Sequence, residues 1–341
     1  MIEDPNLYDT NAATAKNLND DDEYFELPKM MNDSQIKNYD KNEIERQKYY
    51  QITKAREDLY AKDIENESDI EQRRTKEGYL AVLENHNKTV LDYAFLIMEQ
   101  ISDLSQKEKV IASTATILHD SGKLISELKV HHIAGLQRAE EILKKMEGTT
   151  IDGIEIDEQF IEAVKSAIEG HMNHPFLVKY INGGKRYPEP ETIEDKIVFD
   201  ADMLANISFK NVGFRLNTEK FIDEDTKKSS EENTSILEQS FINVLDGEDG
   251  AKKLVDVLLL EESKNMATSL VEDIDKIFGD LKKKKVFDAI QNIFSENGKF
   301  NRETIKNRGG FDLLKKVINE KIEKSGIELG IDQKTINYFK I

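Results

Sequence analysis

Apolar residues recur at helical spacing through the middle of the chain, and this pattern constrains the fold most. Leu83, Val90 and Ile97, for example, follow one another at intervals of seven. Such spacing places side chains on one face of a helix, whereas few stretches alternate as strands do. Residues 79–208 therefore predict an all-α bundle with at least four core-facing helices. A further helix should resume near Thr192, after a Gly- and Pro-rich segment.

The segments on either side of this bundle have a different composition. Residues 1–40 carry ten Asp or Glu and three Lys with few large apolar residues, which predicts a mostly disordered acidic tail. Residues 41–78 are rich in helix formers and charge, and predict a mostly solvated helical lead-in or a partner-binding helix. Residues 79–215 form the predicted main domain. Residues 216–341 predict an additional helical region of unknown role.

Composition excludes several classes of protein. None of the 341 residues is cysteine, so disulfides, thiolate metal sites and cysteine nucleophiles are excluded, and nitrogen and oxygen must bind any metal. The formal net charge of −19 disfavours a general nucleic-acid-binding or anionic-membrane surface. No signal peptide and no run of about 20 apolar residues is apparent, which makes the cytoplasm the expected location.

All six histidines lie within residues 86–174. Spacing from the neighbouring apolar residues places His86, His119 and His171 on the core-facing sides of three helices. Buried imidazoles cost free energy unless their nitrogens find partners, and a shared cation can satisfy several of them at once. The distribution therefore predicts a metal site formed by separate helices.

Two aspartates are placed to join these histidines. Asp120 follows His119 directly, and Asp202 lies on the helix after the Gly- and Pro-rich segment. Neighbours on a helix diverge by about 100°, so the first pair can share one ion only where the helix ends. Gly122 predicts that end through a left-handed turn. Lys123 would then present a positive charge suited to phosphate.

Four segments occur in an order that resembles a known family. They are His86, residues 119–123 (His-Asp-Ser-Gly-Lys), residues 131–136 (His-His-Ile-Ala-Gly-Leu) and residues 200–204 (Asp-Ala-Asp-Met-Leu). This set is similar to the HD superfamily of metal-dependent phosphohydrolases, whose motifs include His-Asp-(Ile/Ser)-Gly-Lys, His-x3-Gly and Asp-Ala-Asp-x-Leu. The resemblance covers roughly residues 79–208, and it implies an HD-type helical bundle.

The resemblance also implies roles for individual residues. One divalent cation would be held by four residues: His86, His119, Asp120 and Asp202. The positions of His131 and His171 bind a second metal or the substrate phosphate. With nitrogen and oxygen ligands, Mn, Fe, Co, Ni or Zn suits the site better than Mg, and the number of ions, one or two, stays open.

Three of these assignments have alternatives. Helical phase favours His132 over His131 as the inward residue, whereas the family spacing favours His131. Asp200 competes with Asp202, which fits the motif better. His174, which precedes a proline, is either a substrate contact or a surface residue at a helix end.

The implied function is hydrolysis of a small-molecule phosphate ester by a metal-activated water, with a nucleotide as the first expectation. Asp120 would orient the water or accept its proton, and Lys123 would stabilise charge on the phosphoryl oxygens. The alternative is an HD-fold regulatory module that binds a nucleotide or a metal with little turnover. The flanking helices could serve a protein partner or self-association.

Overall fold

The computed structural model describes residues 41–126, 130–173, 188–208 and 250–283, with isolated positions between 238 and 340. Three predictions lie outside the described residues: the tail at 1–40, His174, and most of the Gly- and Pro-rich segment. Most of the helical region predicted after residue 216 also lies outside them, apart from the stretch at 250–283.

The described part of the chain is mostly helical, which confirms the all-α prediction. Residues 41–47 are helical. The longer helices are α1 (Tyr50–Glu65), α2 (Ile70–Gln100), α3 (Gln106–Leu118), α4 (His131–Lys144), α5 (Glu158–Gly170), α6 (Ile193–Ile207), α7 (Ala251–Val255) and α8 (Glu261–Lys283). Between α4 and α5, strands β1 (Thr150–Ile151) and β2 (Ile154–Glu155) form an antiparallel hairpin.

Side-chain caps fix the starts of three helices. The carboxylate of Asp69 accepts hydrogen bonds from two backbone N–H groups of α2. Ser105 and Glu108 form a reciprocal capping box at the start of α3, and Asp157 caps α5. These polar side chains satisfy N–H groups that lack a partner within the helix. The chain therefore enters α3 and α5, which precede His119 and His171, at defined points.

The second half of helix α3 is completely buried in the bundle. Every residue from 110 to 118 is buried. It packs against α2 and α5, and α4 packs against α5. The two residues that follow α3, His119 and Asp120, are consequently held in the interior.

Helix α1 lies within residues 41–78, which were predicted as a mostly solvated helical lead-in, and most of its residues are exposed or half-buried. One of its faces is buried and consists of Ile52, Arg56 and Tyr60, which are four residues apart. Because this face includes an arginine and a tyrosine hydroxyl, it does not read as an apolar stripe. Helix α2 also runs uninterrupted through the predicted boundary between residues 78 and 79.

The described residues fall into two compact units. The described part of Lys37–Asn206 forms one unit together with Leu254–Thr268, and the described residues within 207–253 and 269–341 belong to the other. In the second unit, Lys252 forms ion pairs with Asp246 at 2.9 Å and Asp275 at 3.0 Å. Within the described ranges, none of the helices combines the length and the apolar character that crossing a bilayer requires.

Candidate metal centre

The end of α3 brings two adjacent side chains to one place. The helix stops at Leu118, and the chain continues in turns, with the N–H of Lys123 donating to the carbonyl of Asp120 at 3.0 Å. In this conformation His119 Nε2 lies 3.3 Å from Asp120 Oδ2. Adjacent residues can therefore face a common point, as the sequence predicted for a helix end.

Gly122 allows this arrangement for a reason other than the predicted one. It is absent from the described residues that have positive φ, so no left-handed turn ends the helix here. A Cβ atom at Gly122 would lie 2.0 Å from the carbonyl oxygen of His131 and 2.7 Å from the amide nitrogen of Gly135. The glycine is required because the first turn of α4 approaches the backbone this closely. The prediction of a left-handed cap was wrong.

The first candidate group of ligands combines His86 from α2, His119 and Asp202 from α6. Their ligand atoms all lie within 4.8 Å of one another. His86 Nε2 is 3.1 Å from Asp202 Oδ1 and 3.4 Å from Asp120 Oδ2. The structure therefore brings together the four residues that the sequence predicted as ligands of one cation.

The second candidate group consists of Asp120, His131 and His171, whose ligand atoms are likewise within 4.8 Å of one another. His131 Nε2 lies 3.0 Å from Asp120 Oδ1 and 3.3 Å from His171 Nε2. All three side chains are buried. Because Asp120 directs one oxygen to each group, the two groups adjoin at this carboxylate.

Backbone carbonyls fix the tautomers of two of the histidines. His119 Nδ1 lies 2.7 Å from the carbonyl oxygen of Thr116, and His171 Nδ1 is hydrogen-bonded to the carbonyl of Ile168. A carbonyl only accepts, so each Nδ1 carries a proton and donates. In a neutral imidazole, Nε2 is then unprotonated and presents its lone pair to the cluster, as a metal ligand must.

Unpaired ligand atoms indicate that the residues fit a divalent cation. The Nε2 atoms of His86 and His119 are buried and form no hydrogen bond of normal geometry within the described residues. Both nevertheless face the carboxylate of Asp120, at 3.4 and 3.3 Å. Buried polar atoms without partners are costly, and a cation bound between them would satisfy both nitrogens and the acids. Nitrogen and oxygen donors of this kind suit a transition-metal ion.

The cluster strongly perturbs the carboxylates. Burial alone would raise their pKa values, but His119 and Lys123 hold the pKa of Asp120 well below its usual value. Asp202 likewise has a lowered pKa, because His86 and His119 outweigh its burial. Both acids are therefore ionised at neutral pH and contribute negative charge to a cation site.

The imidazoles of the two groups respond in opposite directions. Burial would lower the pKa of His119, but the charge of Asp120 raises it. Burial, with the neighbouring His119 and His131, lowers the pKa of His171 well below its usual value. The first group thus favours positive charge, whereas the second keeps a neutral imidazole.

Lys123 lies beside Asp120, with its Nζ atom 2.5 Å from Oδ2. Its pKa is raised because the charges of Asp120 and Asp202 outweigh its burial. The ammonium group is therefore charged at neutral pH. About a seventh of the side chain is exposed, at 14%.

Two of the alternative site residues lie outside both groups. His132 is buried, and its pKa is lowered to about 4 by burial and by His131. Asp200 accepts hydrogen bonds from the backbone N–H groups of Leu259 at 2.9 Å and Leu260 at 2.8 Å, just before α8. Burial raises the pKa of Asp200 to about 6. The structure therefore brings His131 and Asp202 to the cluster and leaves His132 and Asp200 outside both groups.

Sequence reasoning missed a set of residues on α1 and α4 that bond to the backbone around His119 and Asp120. Arg56, Tyr60 and Arg138 donate to backbone carbonyls there, and Asp63 holds the guanidinium of Arg138. Burial raises the pKa of Tyr60 to about 12, so its hydroxyl remains protonated and can donate. The four-residue spacing of Ile52, Arg56 and Tyr60 was the available signal, but polar side chains concealed it.

Comparison with known proteins agrees with this geometry. The family model described as the HD domain matches residues 83–207, which contain every ligand of both groups. No significant match was found among curated proteins or among solved structures. The chain thus carries the family pattern over about a third of its length, where its histidines and aspartates converge. Residues 83–207 are therefore an HD domain, which assigns this part of the chain to the HD-domain superfamily of metal-dependent phosphohydrolases.

Proposed function

We propose that this chain is a metal-dependent phosphohydrolase that cleaves a small-molecule phosphate ester, with nucleotides as the first substrate class to test. One observation carries the proposal: the buried Nε2 atoms of His86 and His119 face two ionised carboxylates and form no hydrogen bond of normal geometry with any described residue. His86, His119, Asp120 and Asp202 would hold a divalent cation. A cation there supplies Lewis acidity, which polarises a phosphoryl oxygen and lowers the pKa of a bound water.

The chain's own residues have distinct tasks in this proposal. The low pKa of Asp120 suits a carboxylate that accepts a hydrogen bond from water and orients it, rather than one that takes its proton. The ammonium group of Lys123 has three N–H donors, and one of them bonds to the carboxylate of Asp120. The remaining donors of Lys123 can stabilise negative charge on the phosphoryl oxygens.

His131 and His171 would either bind a second cation with Asp120 or contact the substrate phosphate. Their Nε2 atoms lie 3.3 Å apart, and His171 holds its proton on Nδ1. If both imidazoles are neutral and carry their protons on Nδ1, the two Nε2 atoms could present their lone pairs to one cation. A phosphate contact would instead require a proton on Nε2 of at least one of them.

Elemental analysis of the purified chain, followed by a phosphate-ester screen, tests this proposal. The screen uses Mn²⁺ with nucleoside monophosphates, triphosphates and cyclic nucleotides, together with p-nitrophenyl phosphate and its diester. We expect bound metal and turnover that a chelator abolishes. Metal without turnover on any ester would favour the regulatory, metal-binding alternative, and no metal at all would refute both.

A lysine variant separates catalysis from binding. Lys123→Ala should lower kcat by about 100-fold, since it removes a donor to the developing charge, and should leave the metal content intact. Lys165→Ala is the matched control, because Lys165 is a partly exposed lysine paired with Glu140 and Glu162. Loss of metal in the Lys123 variant alone would make that lysine structural.

A further inference from the structure

Helix α1 precedes the residues matched by the HD family model, yet it is bonded to the segment that carries His119 and Asp120. Arg56 Nη1 donates to the carbonyl oxygen of Ile117 at 2.9 Å. Tyr60 Oη donates to the carbonyl oxygen of Asp120 at 3.2 Å. Both side chains are buried, with 5% and 0% exposure.

A third bond reaches the same segment through a salt bridge. Arg138 of α4 donates from Nη1 to the carbonyl of Ser121 at 3.0 Å. Its guanidinium is held at the same time by both carboxylate oxygens of Asp63 on α1, at 2.5 Å each. A bidentate pair of this kind fixes the direction of the guanidinium. Asp63 thereby orients the guanidinium that donates to the carbonyl of Ser121.

These carbonyls belong to a buried helix end. The last four C=O groups of a helix have no partner inside it, and α3 ends at Leu118. His119, Asp120 and Ser121 are fully buried, so the surrounding protein must supply most of their hydrogen-bond donors. Arg56, Tyr60 and Arg138 supply three of them. The backbone conformation that turns His119 and Asp120 toward one point is therefore held both by bonds within the turn and by these three donors from outside it.

Tyr60 connects two ligand-bearing elements. Besides donating to Asp120, its hydroxyl accepts a hydrogen bond from Asn87 Nδ2 at 3.4 Å. Asn87 follows His86 on α2. One hydroxyl thus links the neighbour of the His86 ligand to the backbone of the Asp120 ligand. The guanidinium of Arg56 lies 5.7 Å from the centroid of the Tyr60 ring and packs beside it.

We propose that α1 is a positioning element of the metal centre. Tyr60 and Arg56 donate to backbone carbonyls on either side of His119, and Asp63 acts through Arg138, so that together they set the directions of His119 and Asp120. None of the three is proposed to touch the cation or the substrate. The inference rests on the proposed function in one respect, since it takes the two histidine–aspartate groups as cation ligands. The functional domain then extends from the family-matched residues back to α1.

The test compares two tyrosines that differ in what their hydroxyls bond. Tyr60→Phe removes the hydroxyl and keeps the buried ring. Tyr49→Phe is the matched control, because Tyr49 is also buried and packs on Phe95, with ring centroids 6.2 Å apart. The readouts are the Kd for Mn²⁺, from titration of full-length protein, and the Tm of the metal-free protein.

We expect Tyr60→Phe to weaken Mn²⁺ binding about 10- to 100-fold, the effect typical of losing an outer-shell partner of a metal ligand. Tyr49→Phe should lower the Tm at most and leave the Kd unchanged. Arg56→Met and Arg56→Lys repeat the test at the second bond, since lysine retains a donor for Ile117 and should restore affinity. Unchanged Kd values in both Tyr60→Phe and Arg56→Met overturn the proposal.

A metal-independent readout separates this inference from the proposed function. If the parent protein binds no Mn²⁺, the proposed function fails, and hydrogen exchange decides the positioning role. The amides of Ser121 and Lys123 are hydrogen-bonded within the turn, to the carbonyls of Leu118 and Asp120. We expect these amides to exchange faster in Tyr60→Phe than in Tyr49→Phe, because the turn opens more often. Equal exchange in the two variants overturns the proposal in that case.

Discussion

The two groups of candidate ligands meet at Asp120 and differ in charge and exposure. In the first group, Asp202 adds a second carboxylate and the side chain of His86 is 17% exposed. In the second, His131 and His171 are buried, and Asp120 is the only carboxylate of that group. The centroids of the His119 and His171 rings are only 5.1 Å apart, so these different environments lie side by side.

This difference changes the pKa values of the imidazoles in the two groups. The carboxylates raise the pKa of His119, whereas burial and two neighbouring histidines lower that of His171. A cation gains more free energy beside two ionised acids than beside one, since each unit charge adds its own attraction. We therefore expect the first group to bind a divalent ion more tightly than the second.

The largest effect is expected from the residue that the groups share. Asp120→Asn removes the negative charge from both, so Mn²⁺ affinity should fall by more than about 100-fold, beyond the cost of losing an outer-shell partner. Titration calorimetry measures the loss, and circular dichroism checks that the fold is retained. Asp200→Asn is the matched control, since Asp200 is a buried aspartate that bonds to Leu259 and Leu260 instead. An Asp120 variant that binds Mn²⁺ normally would contradict the arrangement.

A smaller and more selective effect should distinguish the groups from each other. Asp202→Asn should abolish the tighter Mn²⁺ site and leave any weak one. His171→Asn should leave the tight site and remove the weak one, so the number of ions bound should fall at high Mn²⁺. Titration of both variants and of the parent protein with Mn²⁺ measures these stoichiometries. Equal losses of the tight site in both variants would show that the six residues hold a single ion.

The smallest effect concerns His132, which belongs to neither group. Its folded pKa of about 4 lies below the usual value of 6.5, so the unfolded chain takes up a proton first as the pH falls. Stability is therefore unaffected above pH 6.5 and falls as the pH drops from 6.5 toward 4. His132→Asn should reduce this acid destabilisation of the metal-free protein, as measured by urea unfolding between pH 7 and pH 4. An unchanged pH profile would contradict the lowered pKa of His132 in the folded chain.

The sequence was informative about the candidate ligands because they lie in patterns of a few neighbouring residues. His119, Asp120 and Asp202 lie in short motifs, and His86 and His171 lie on apolar helix faces. The choice between His131 and His132 could not come from helical phase, since these are the first two residues of α4 and phase is least reliable there. The motif spacing favoured His131, and the structure brings its ring to Asp120.

Contacts between residues far apart in the chain could not be predicted from the sequence. Tyr60 and Asp120 are 60 residues apart, and no local pattern indicates that a hydroxyl on a charged helix meets a carbonyl at the end of another. The same holds for Asp200, whose partners at Leu259 and Leu260 lie in a break between α7 and α8. The capping interaction at residues 259–260 explains the break, because the carboxylate of Asp200 satisfies N–H groups where α8 begins.

The close approach at Gly122 bears on how related sequences can be read. Any side chain at this position would meet the carbonyl of His131 and push the start of α4 outward. A homologue with alanine or serine at 122 could keep all of its histidines and aspartates and still separate His131 from Asp120. A sequence survey that considers only these histidines and aspartates would place the two proteins in one class. The residue at 122 would show whether the group of Asp120, His131 and His171 can form in such a homologue.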